Sequence, residues 1–419
     1  MRRKVASSII FAALLLSSLV LPLISANQLI ISEDTTWSGN IILDSDVIIS
    51  PGTTLVIEHG TTIDAANGHK IEVSGSMVAE GVHFFSTAIR TAQSSHGQGL
   101  WQGIIVNPGG TASMTDVLIE NANVGVLTYG ELSATNLTVK NAYFGIKNYA
   151  TATVNDLKTE AIDYDAIMNG GSFTLTTADI TNVSTGIQND GALVVSSINL
   201  SRVGSGIAAV SGSVIIDQIS LQNISVGFSS SYGISFRASN ITGDYVNLLA
   251  NVANSDDFLL SDATVRGNTL MKSVSTTYSN LRNVSFTVSE LLQGPVVDQN
   301  CIGNCSMDNI TITNAEQGLM LSGTGHHQLV NSTIEATDYA IRSSGYGTLL
   351  VNNSGIIAGK SGIIIRNSDS IFTGQNKISI SERDATGLDI LGGNHVVNDL
   401  IVAKHYDSTD SSSIGIQAW

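Results

Sequence analysis

One short phrase recurs along the middle of the chain and constrains the fold more than any other feature. It consists of Asn, three variable residues, Gly and a branched apolar residue, as in 121–126, 141–146 and 182–187. Markers of successive copies lie 20, 21, 20, 20 and 21 residues apart, at Gly125, Gly145, Ala166, Gly186, Gly206 and Gly227. A fixed period in this range indicates a solenoid, in which each repeat stacks on the next.

Each repeat contains short runs of Val, Ile, Leu and Thr in which apolar and polar residues alternate, as in 116–120 and 136–140. Alternation of this kind is typical of half-buried strands, and the intervening Gly, Asn, Ser and Asp form turns. A repeat of about 20 residues has room for three strands and three turns, which is one rung of a parallel β-helix. The alternative at this length is the leucine-rich repeat, whose Leu-x-x-Leu-x-Leu-x-x-Asn frame this sequence does not keep.

The recurring phrase has a physical interpretation. Gly allows either a positive φ or a close approach between neighbouring rungs, and the apolar residue after it points into the core. The Asn that begins the phrase is predicted to stack on the Asn of the next rung, forming an amide ladder along the axis. This predicted ladder contains Asn121, Asn141, Asn182 and Asn223.

With these repeats the chain resembles the right-handed parallel β-helix repeat proteins, which include pectate-lyase-like enzymes and many secreted archaeal and bacterial surface proteins. The segments 50–60 and 100–106 are similar to the opening of many secreted β-helix proteins. The resemblance covers nearly all of the chain after residue 26. It implies an all-β, right-handed parallel β-helix with rungs of about 20–25 residues, and it implies no particular activity.

Composition fits this fold and narrows the choice of partners. Of 419 residues, 42% are apolar, 13% are charged and 4 are Pro, as expected for a long stack with continuous ladders. The net charge of −16 disfavours nucleic acid and anionic lipid as partners. It also disfavours anionic polysaccharides unless Ca²⁺ bridges them to the protein.

The N-terminal residues 1–26 read as an export signal. Arg2, Arg3 and Lys4 precede an apolar stretch that ends in the cleavage-site sequence Ile24-Ser25-Ala26. The alternative is an uncleaved membrane anchor, because the apolar stretch is about 20 residues long. Either outcome predicts a secreted or cell-surface protein.

The rest of the chain divides into two parts. Residues 27–112 are predicted to form an N-terminal cap and the first rungs, with a loop at 90–99. Residues 113–419 form the remaining rungs; the phrase weakens after Gly227 and returns at Gly318. Residues 415–419 begin a further copy, so the last rung is predicted to be open, and the chain is alternatively a fragment of a longer surface or adhesin protein.

Two kinds of modification are expected in an exported chain. Cys301 and Cys305 are the only cysteines, and an even count favours a disulfide between them, closing a small loop between rungs. Ten Asn-x-Ser/Thr sequons occur. Glycosylation is expected at Asn199, Asn240 and Asn331, because Asn182 and Asn223 belong to the predicted ladder and burial would protect them.

The search for catalytic residues yields only isolated candidates. Asp163 and Asp165 lie in the copy that departs from the phrase, and such a departure can mark a functional turn. His326 and His327 follow a Gly, similar to the Gly-His-Gly of polygalacturonases, but the other motifs of that family are absent. For all four residues the alternative is a polar turn without catalytic function.

The sequence therefore favours a non-catalytic surface scaffold that binds polysaccharide or surface proteins along its flank, with no metal or cofactor. The alternative is a polysaccharide lyase, hydrolase or epimerase that acts in a groove of the same fold, for which Ca²⁺ is a candidate cofactor. Fold alone does not decide between them. The sequence predicts no oligomeric state.

Overall fold

The computed structural model describes residues 28–65, 68–87, 100–231, 233–290, 294–404 and 414–418. Strands make up 77% of the described residues, and these contain no helix. The paired strands are parallel and wind into a solenoid of about 16 turns, each called a rung below. This confirms the predicted right-handed parallel β-helix. The predicted export signal and the predicted loop at 90–99 lie outside the described residues.

The strands range from three-residue segments to long strands that continue around the corners of a rung. In chain order they are β1 Gln28–Ile31, β2 Thr35–Trp37, β3 Asn40–Leu43, β4 Asp46–Ile49, β5 Thr54–Ile57, β6 Thr62–Ala65, β7 Lys70–Val73, β8 Ser76–Glu80, β9 His83–Phe85, β10 Gly103–Val106, β11 Thr111–Glu120, β12 Val124–Thr128, β13 Glu131–Lys140, β14 Phe144–Asn148, β15 Thr151–Asn169, β16 Ser172–Asn189, β17 Ala192–Ala209, β18 Ser213–Ser230, β19 Ser235–Ala238, β20 Ile241–Ala253, β21 Asp257–Val288, β22 Pro295–Ala315, β23 Gln317–Gly323, β24 His326–Val330, β25 Thr333–Ala336, β26 Tyr339–Ser344, β27 Thr348–Asn352, β28 Gly355–Ala358, β29 Ser361–Arg366, β30 Asp369–Thr373, β31 Asn376–Ile380, β32 Thr386–Leu391, β33 His395–Val397, β34 Leu400–Lys404 and β35 Ile414–Ala418.

Every rung has three faces, which the rung 131–148 illustrates. The first face is residues 131–135, the second is 137–140 and the third is 144–148. Asn136 at φ 52° turns the chain between the first and second faces, and Asn141 at φ 53° turns it between the second and third. Asn tolerates this left-handed conformation better than most residues, which explains why it recurs at the corners.

The core is a set of apolar columns that run along the solenoid axis. Val126, Ile146, Ile167, Ile187 and Ile207 are consecutive partners in register on the third face, and none is exposed. Each inward side chain packs between those of the rungs on either side. The spacing of the parallel strands, about 4.8 Å, therefore sets the packing of the whole core.

The recurring Gly serves the close approach between rungs and not a positive φ. A Cβ on Gly145 would lie 2.3 Å from the Ala166 carbonyl oxygen, and one on Gly206 would lie 2.4 Å from the Gly227 oxygen. After Gly227 the equivalent position is taken by Leu249, whose carbonyl would lie 2.7 Å from a Cβ on Gly227. The phrase weakens there because Leu replaces the marker, while the rung itself continues.

The amide ladder exists, but it lies in a different column from the predicted one. Asn148, Asn169 and Asn189 are fully buried on the third face. The Asn148 Nδ2 donates to Asn169 Oδ1 at 2.8 Å, and the Asn169 Nδ2 donates to Asn189 Oδ1 at 2.7 Å. The predicted column forms the corner between the second and third faces, where Asn182 and Asn223 are exposed. That prediction was wrong because the period fixes which residues stack but not which column faces inward.

The predicted disulfide is present, and it lies inside the solenoid. Cys301 and Cys305 are bonded within β22, with a Cα–Cα distance of 6.1 Å and exposures of 0% and 1%. It closes the corner between the third and first faces. The loop between rungs that the sequence predicted is this corner.

The three asparagines predicted to carry glycans have exposed side chains. Asn199 donates to Asp179 Oδ1 at 2.8 Å, Asn240 to the Asp217 carbonyl at 3.0 Å and Asn331 to Asp308 Oδ1 at 3.1 Å. Asn182 and Asn223 are exposed as well. Burial therefore does not protect them from glycosylation, contrary to the argument from the sequence. Glycosylation remains a prediction.

Replacing the middle amide of the ladder tests how much it stabilises the stack. We expect Asn169→Ala to lower the free energy of unfolding by about 2–3 kcal/mol, because Asn189 Oδ1 and the Gly171 N–H lose their partner inside the core. Gln188→Ala, on the outer side of the next strand β16, should change it by less than about 0.5 kcal/mol. Chemical denaturation measures both, and equal effects would contradict the assignment of the ladder.

Candidate functional site

A β-bulge on the third face distinguishes one rung from its neighbours. Ile162 pairs with Val183 and Asp165 pairs with Thr185, so two residues of β15 lie opposite a single residue of β16. The extra residue is the physical basis of the irregular copy seen in the sequence. Bulges redirect side chains and occur often beside functional sites.

The bulge sorts the three residues 163–165 into different environments. Asp163 and Tyr164 are exposed, Tyr164 by 46%, whereas Asp165 is only 9% exposed. The two predicted carboxylates therefore lie in the same bulge but differ in burial. Asp163 and Asp165 are close in space because they are two residues apart in the chain.

Aromatic side chains from three successive rungs lie along the third face and at its corner with the first face. The Tyr164 ring stacks on that of Phe144 with centroids 5.1 Å apart, and Tyr129 stacks on Tyr149 at 5.2 Å. The Tyr149 hydroxyl lies 3.8 Å from the sulfur of Met168, on the same face as the bulge. We call Tyr129, Phe144, Lys147, Tyr149, Tyr164 and Asp165 the aromatic patch.

Lys147 and Asp165 give the patch its charged groups. The Lys147 Nζ lies 3.2 Å from the centroid of the Phe144 ring, a cation–π contact. Burial lowers the pKa of Lys147, although the nearby Asp165 carboxylate partly opposes this. Burial also raises the pKa of Asp165, against the opposing effects of a hydrogen bond from Thr185 and the charge of Lys147. A carboxyl that keeps its proton to a higher pH is suited to proton donation.

A shallow depression of about 400 Å³ adjoins the patch at the corner between the third and first faces. Its lining consists mainly of Gly109, Gly110, Gly130, Ala150 and two threonines. A Cβ on Gly130 would lie 2.3 Å from the Gly110 oxygen, so small residues are required for the rungs to stack here. The lining residues Gly130 and Ala150 directly follow Tyr129 and Tyr149 in the chain, although neither tyrosine lines the depression.

A second depression, of about 270 Å³, lies at the corner between the first and second faces. Its carboxylates already have partners in the neighbouring rungs: the Thr177 hydroxyl donates to Asp156, and Asn199 donates to Asp179 at 2.8 Å. Its lining contains no aromatic side chain. We therefore place the candidate site at the aromatic patch.

The predicted histidines lie far from the patch. His326 and His327 begin β24, and the register of the third face counts seven rung steps from Ile167 to Leu319 just before them. This amounts to about 34 Å along the axis at roughly 4.8 Å per rung. His326 is exposed. His327 is 4% exposed, its Nε2 lies 3.0 Å from the Ser322 carbonyl, and burial lowers its pKa.

Within the described ranges, no group of three or more His, Cys, Asp or Glu side chains is arranged to hold a metal ion. None of the described segments forms a helix of sufficient length and apolar character to cross a membrane.

Sequence reasoning found Asp163 and Asp165 but missed the aromatic residues around them. The signal was available in the period itself: Tyr129 and Tyr149 are 20 residues apart, and Tyr143 and Tyr164 are 21 apart. Residues one period apart become axial neighbours, so repeated aromatics predict stacked rings.

The raised pKa of Asp165 predicts a pH-dependent stability. The Asp165 carboxyl holds its proton more tightly in the folded than in the unfolded protein. The stability that the protonated carboxyl contributes is therefore fully present below its ordinary pKa of 3.8, and it is lost as the pH rises through the pKa of the folded protein. Asp165→Asn should therefore raise the free energy of unfolding at pH 7, because the amide carries no charge that burial would disfavour. The difference from the parent protein should vanish near pH 3.5. Denaturation at pH 3.5, 5 and 7 measures this, and Asp244→Asn, at an exposed position, is the control for the loss of a surface carboxylate.

Comparison with known proteins finds only distant structural likenesses. No family model and no curated protein sequence matches the chain. Among solved structures, it is similar to the catalytic domain of a GH87 α-1,3-glucanase in complex with nigerose, at 14% identity and a TM-score of 0.26, covering 82% of this chain and 59% of that domain. It is also similar to the A-module of a mannuronan C-5 epimerase from Azotobacter vinelandii, at 11% identity and a TM-score of 0.22, covering 97% and 94%. A polygalacturonase from Erwinia carotovora ssp. carotovora matches at 11% identity and a TM-score of 0.17, covering 92% and 98%. Nothing about the activity of this chain follows from likenesses at this level.

Proposed function

We propose that this protein is exported and binds a polysaccharide chain at the aromatic patch on its flank. The observation that carries the proposal is the pair of stacked, exposed tyrosines, Tyr129 at 44% and Tyr149 at 42%, beside a depression lined by small residues. Aromatic side chains offer apolar contact area together with a polar tip, which suits ligands that are apolar on one side and hydroxylated at the edge.

Polar groups next to the rings supply the directional part of such binding. Lys147 and Asp165 provide a donor and an acceptor on the third face, while Glu131 and Thr151 border the depression. Sugar hydroxyls both donate and accept hydrogen bonds, so a mixed set of this kind can orient them. The net charge of −16 favours a neutral polymer.

Export is proposed and not observed, because only the sequence of residues 1–26 supports it. A surface location also agrees with the expected disulfide chemistry, since disulfides persist in oxidising compartments. Binding of partner proteins has no comparable support in the described residues.

Binding to the patch should depend on its rings. We expect Tyr149→Ala and Tyr164→Ala each to weaken retention on a neutral polysaccharide about tenfold or more, as removal of a central aromatic contact typically costs about 2 kcal/mol. The control is Tyr346→Ala, because Tyr346 is 87% exposed and lies outside the patch. Affinity electrophoresis through gels that contain single polysaccharides measures the retention. Unchanged retention in both patch variants, with folding intact, would refute the site.

Catalysis at the same patch is the second candidate function, and Asp165 is the observation that favours it. Glycoside cleavage commonly uses a carboxylic acid of raised pKa together with a second carboxylate within about 10 Å. Asp163, two residues away in the bulge, is such a second carboxylate. In this case Asp165 would donate a proton to the leaving oxygen, and Lys147 would stabilise its ionised form afterwards.

A turnover assay separates this candidate from binding alone. Incubation with acidic and neutral polysaccharides, with and without Ca²⁺, is followed by measuring unsaturated products and new reducing ends. If the protein is a hydrolase or lyase at this site, Asp165→Asn should lower the rate at least about 100-fold, the usual contribution of general acid–base catalysis, while retention is kept. Turnover that survives in Asp165→Asn would exclude the assigned acid, and retention without turnover would leave a binding function.

A further inference from the structure

The first face carries a regular array of hydroxyl groups next to the aromatic patch. In the rungs 111–115, 131–135, 151–155 and 172–176 the outward positions number twelve, and ten of them are Ser or Thr. Glu131 and Asn155 are the exceptions. We call these outward positions the hydroxyl face.

The register makes this array a regular lattice. Ser113, Ser133, Thr153 and Thr174 are successive partners in one column, and parallel columns lie on either side of it. Rungs are about 4.8 Å apart, and alternate residues along a strand are about 6.7 Å apart. The residues between them, such as Ala134 and Val154, are buried in the close-packed core, so the outward positions are held rigidly.

The charge of the hydroxyl face differs from that of the whole chain. It contains one carboxylate and no cation among its twelve positions, although the chain carries a net charge of −16. Anionic polymers and lipid headgroups would meet no positive charge here. Hydroxyls that donate and accept, together with threonine methyl groups, instead match a neutral surface rich in hydroxyls.

The hydroxyl face is continuous with the aromatic patch. Tyr129 is followed by Gly130 and the face position Glu131, and Tyr149 is followed by Ala150 and Thr151. The depression at this corner is lined by Thr111, Glu131 and Thr151 of the hydroxyl face and by Gly130 and Ala150, which directly follow the two tyrosines in the chain. A ligand that contacts the tyrosines at this corner can therefore extend onto the hydroxyl face.

We propose that the hydroxyl face docks on the flat surface of an ordered, insoluble neutral polysaccharide, while the aromatic patch holds one chain at its edge. This inference rests on the proposed function and specifies its ligand as a packed polymer, because a rigid lattice gains contacts only from a ligand that is itself flat and periodic. A single dissolved chain is narrower than the three columns of the face, so it leaves part of the lattice uncovered and relies on the aromatic patch.

Sedimentation with insoluble polymers tests the proposal. The probes are microcrystalline cellulose, chitin and an insoluble β-1,3-glucan, compared with soluble oligosaccharides of the same sugars. The variant Ser133→Lys/Thr153→Lys places two charges in the centre of the hydroxyl face. We expect it to weaken binding to the insoluble polymer at least about tenfold and to leave the binding of the soluble oligosaccharide unchanged, because the aromatic patch is intact.

The matched control is Ser285→Lys/Thr264→Lys, which makes the same two replacements at exposed outward positions of the second face. It should bind both forms like the parent protein, and circular dichroism should show equal folding of all three proteins. If the hydroxyl-face variant keeps full binding to the insoluble polymer, or loses it no more than the control, the inference is overturned.

The remaining outcomes separate the two proposals. Binding of soluble oligosaccharides through the tyrosines without binding to any insoluble polymer would overturn this inference and leave the proposed function standing. Absence of binding to either form would overturn both. Self-association of the parent protein in analytical ultracentrifugation that the hydroxyl-face variant abolishes would assign the face to a second copy of the chain and overturn the inference.

Discussion

Stacking of each rung on the next is the interaction on which the rest of this structure depends. The strands pair only with strands of the rungs before and after them, and the core columns pack at the spacing that those hydrogen bonds impose. A residue is therefore constrained mainly by the residues one period away. Two features serve this stacking. Buried amides bond one rung to the next at Asn148, Asn169 and Asn189, and glycines leave room where the rungs approach most closely.

The candidate site arises where this regularity is broken. One extra residue in β15 cannot be absorbed by the ladder, so the chain bulges and places Tyr164 outward and Asp165 in a nearly buried position. The rungs on either side remain regular and hold the bulge in place. Local departures from a repeat are tolerated where neighbouring repeats supply the stability, which makes them suitable places for function.

The same stacking that builds the core also repeats chemistry on the surface. Aromatic residues one period apart become stacked pairs, and Ser and Thr at alternate positions become the columns of the hydroxyl face. In a β-helix, a residue type that recurs at one position of the repeat therefore forms a continuous column on the surface. The aromatic patch and the hydroxyl face meet at the corner of small residues, so the two proposals concern adjoining parts of one surface.

The sequence by itself determined the fold, because a period of 20–21 residues with alternating apolar positions fits few architectures. It also determined the pairing of Cys301 with Cys305, and it pointed to the irregular copy that holds Asp163 and Asp165. The tertiary structure alone decided which Asn column is buried and which side chains surround Asp165. The physical reason is that a period fixes the neighbours along the axis, whereas the position of each corner in the cross-section depends on how three faces pack together. That packing buried Asn169 but exposed Asn182, and it left His327 about seven rungs from the site.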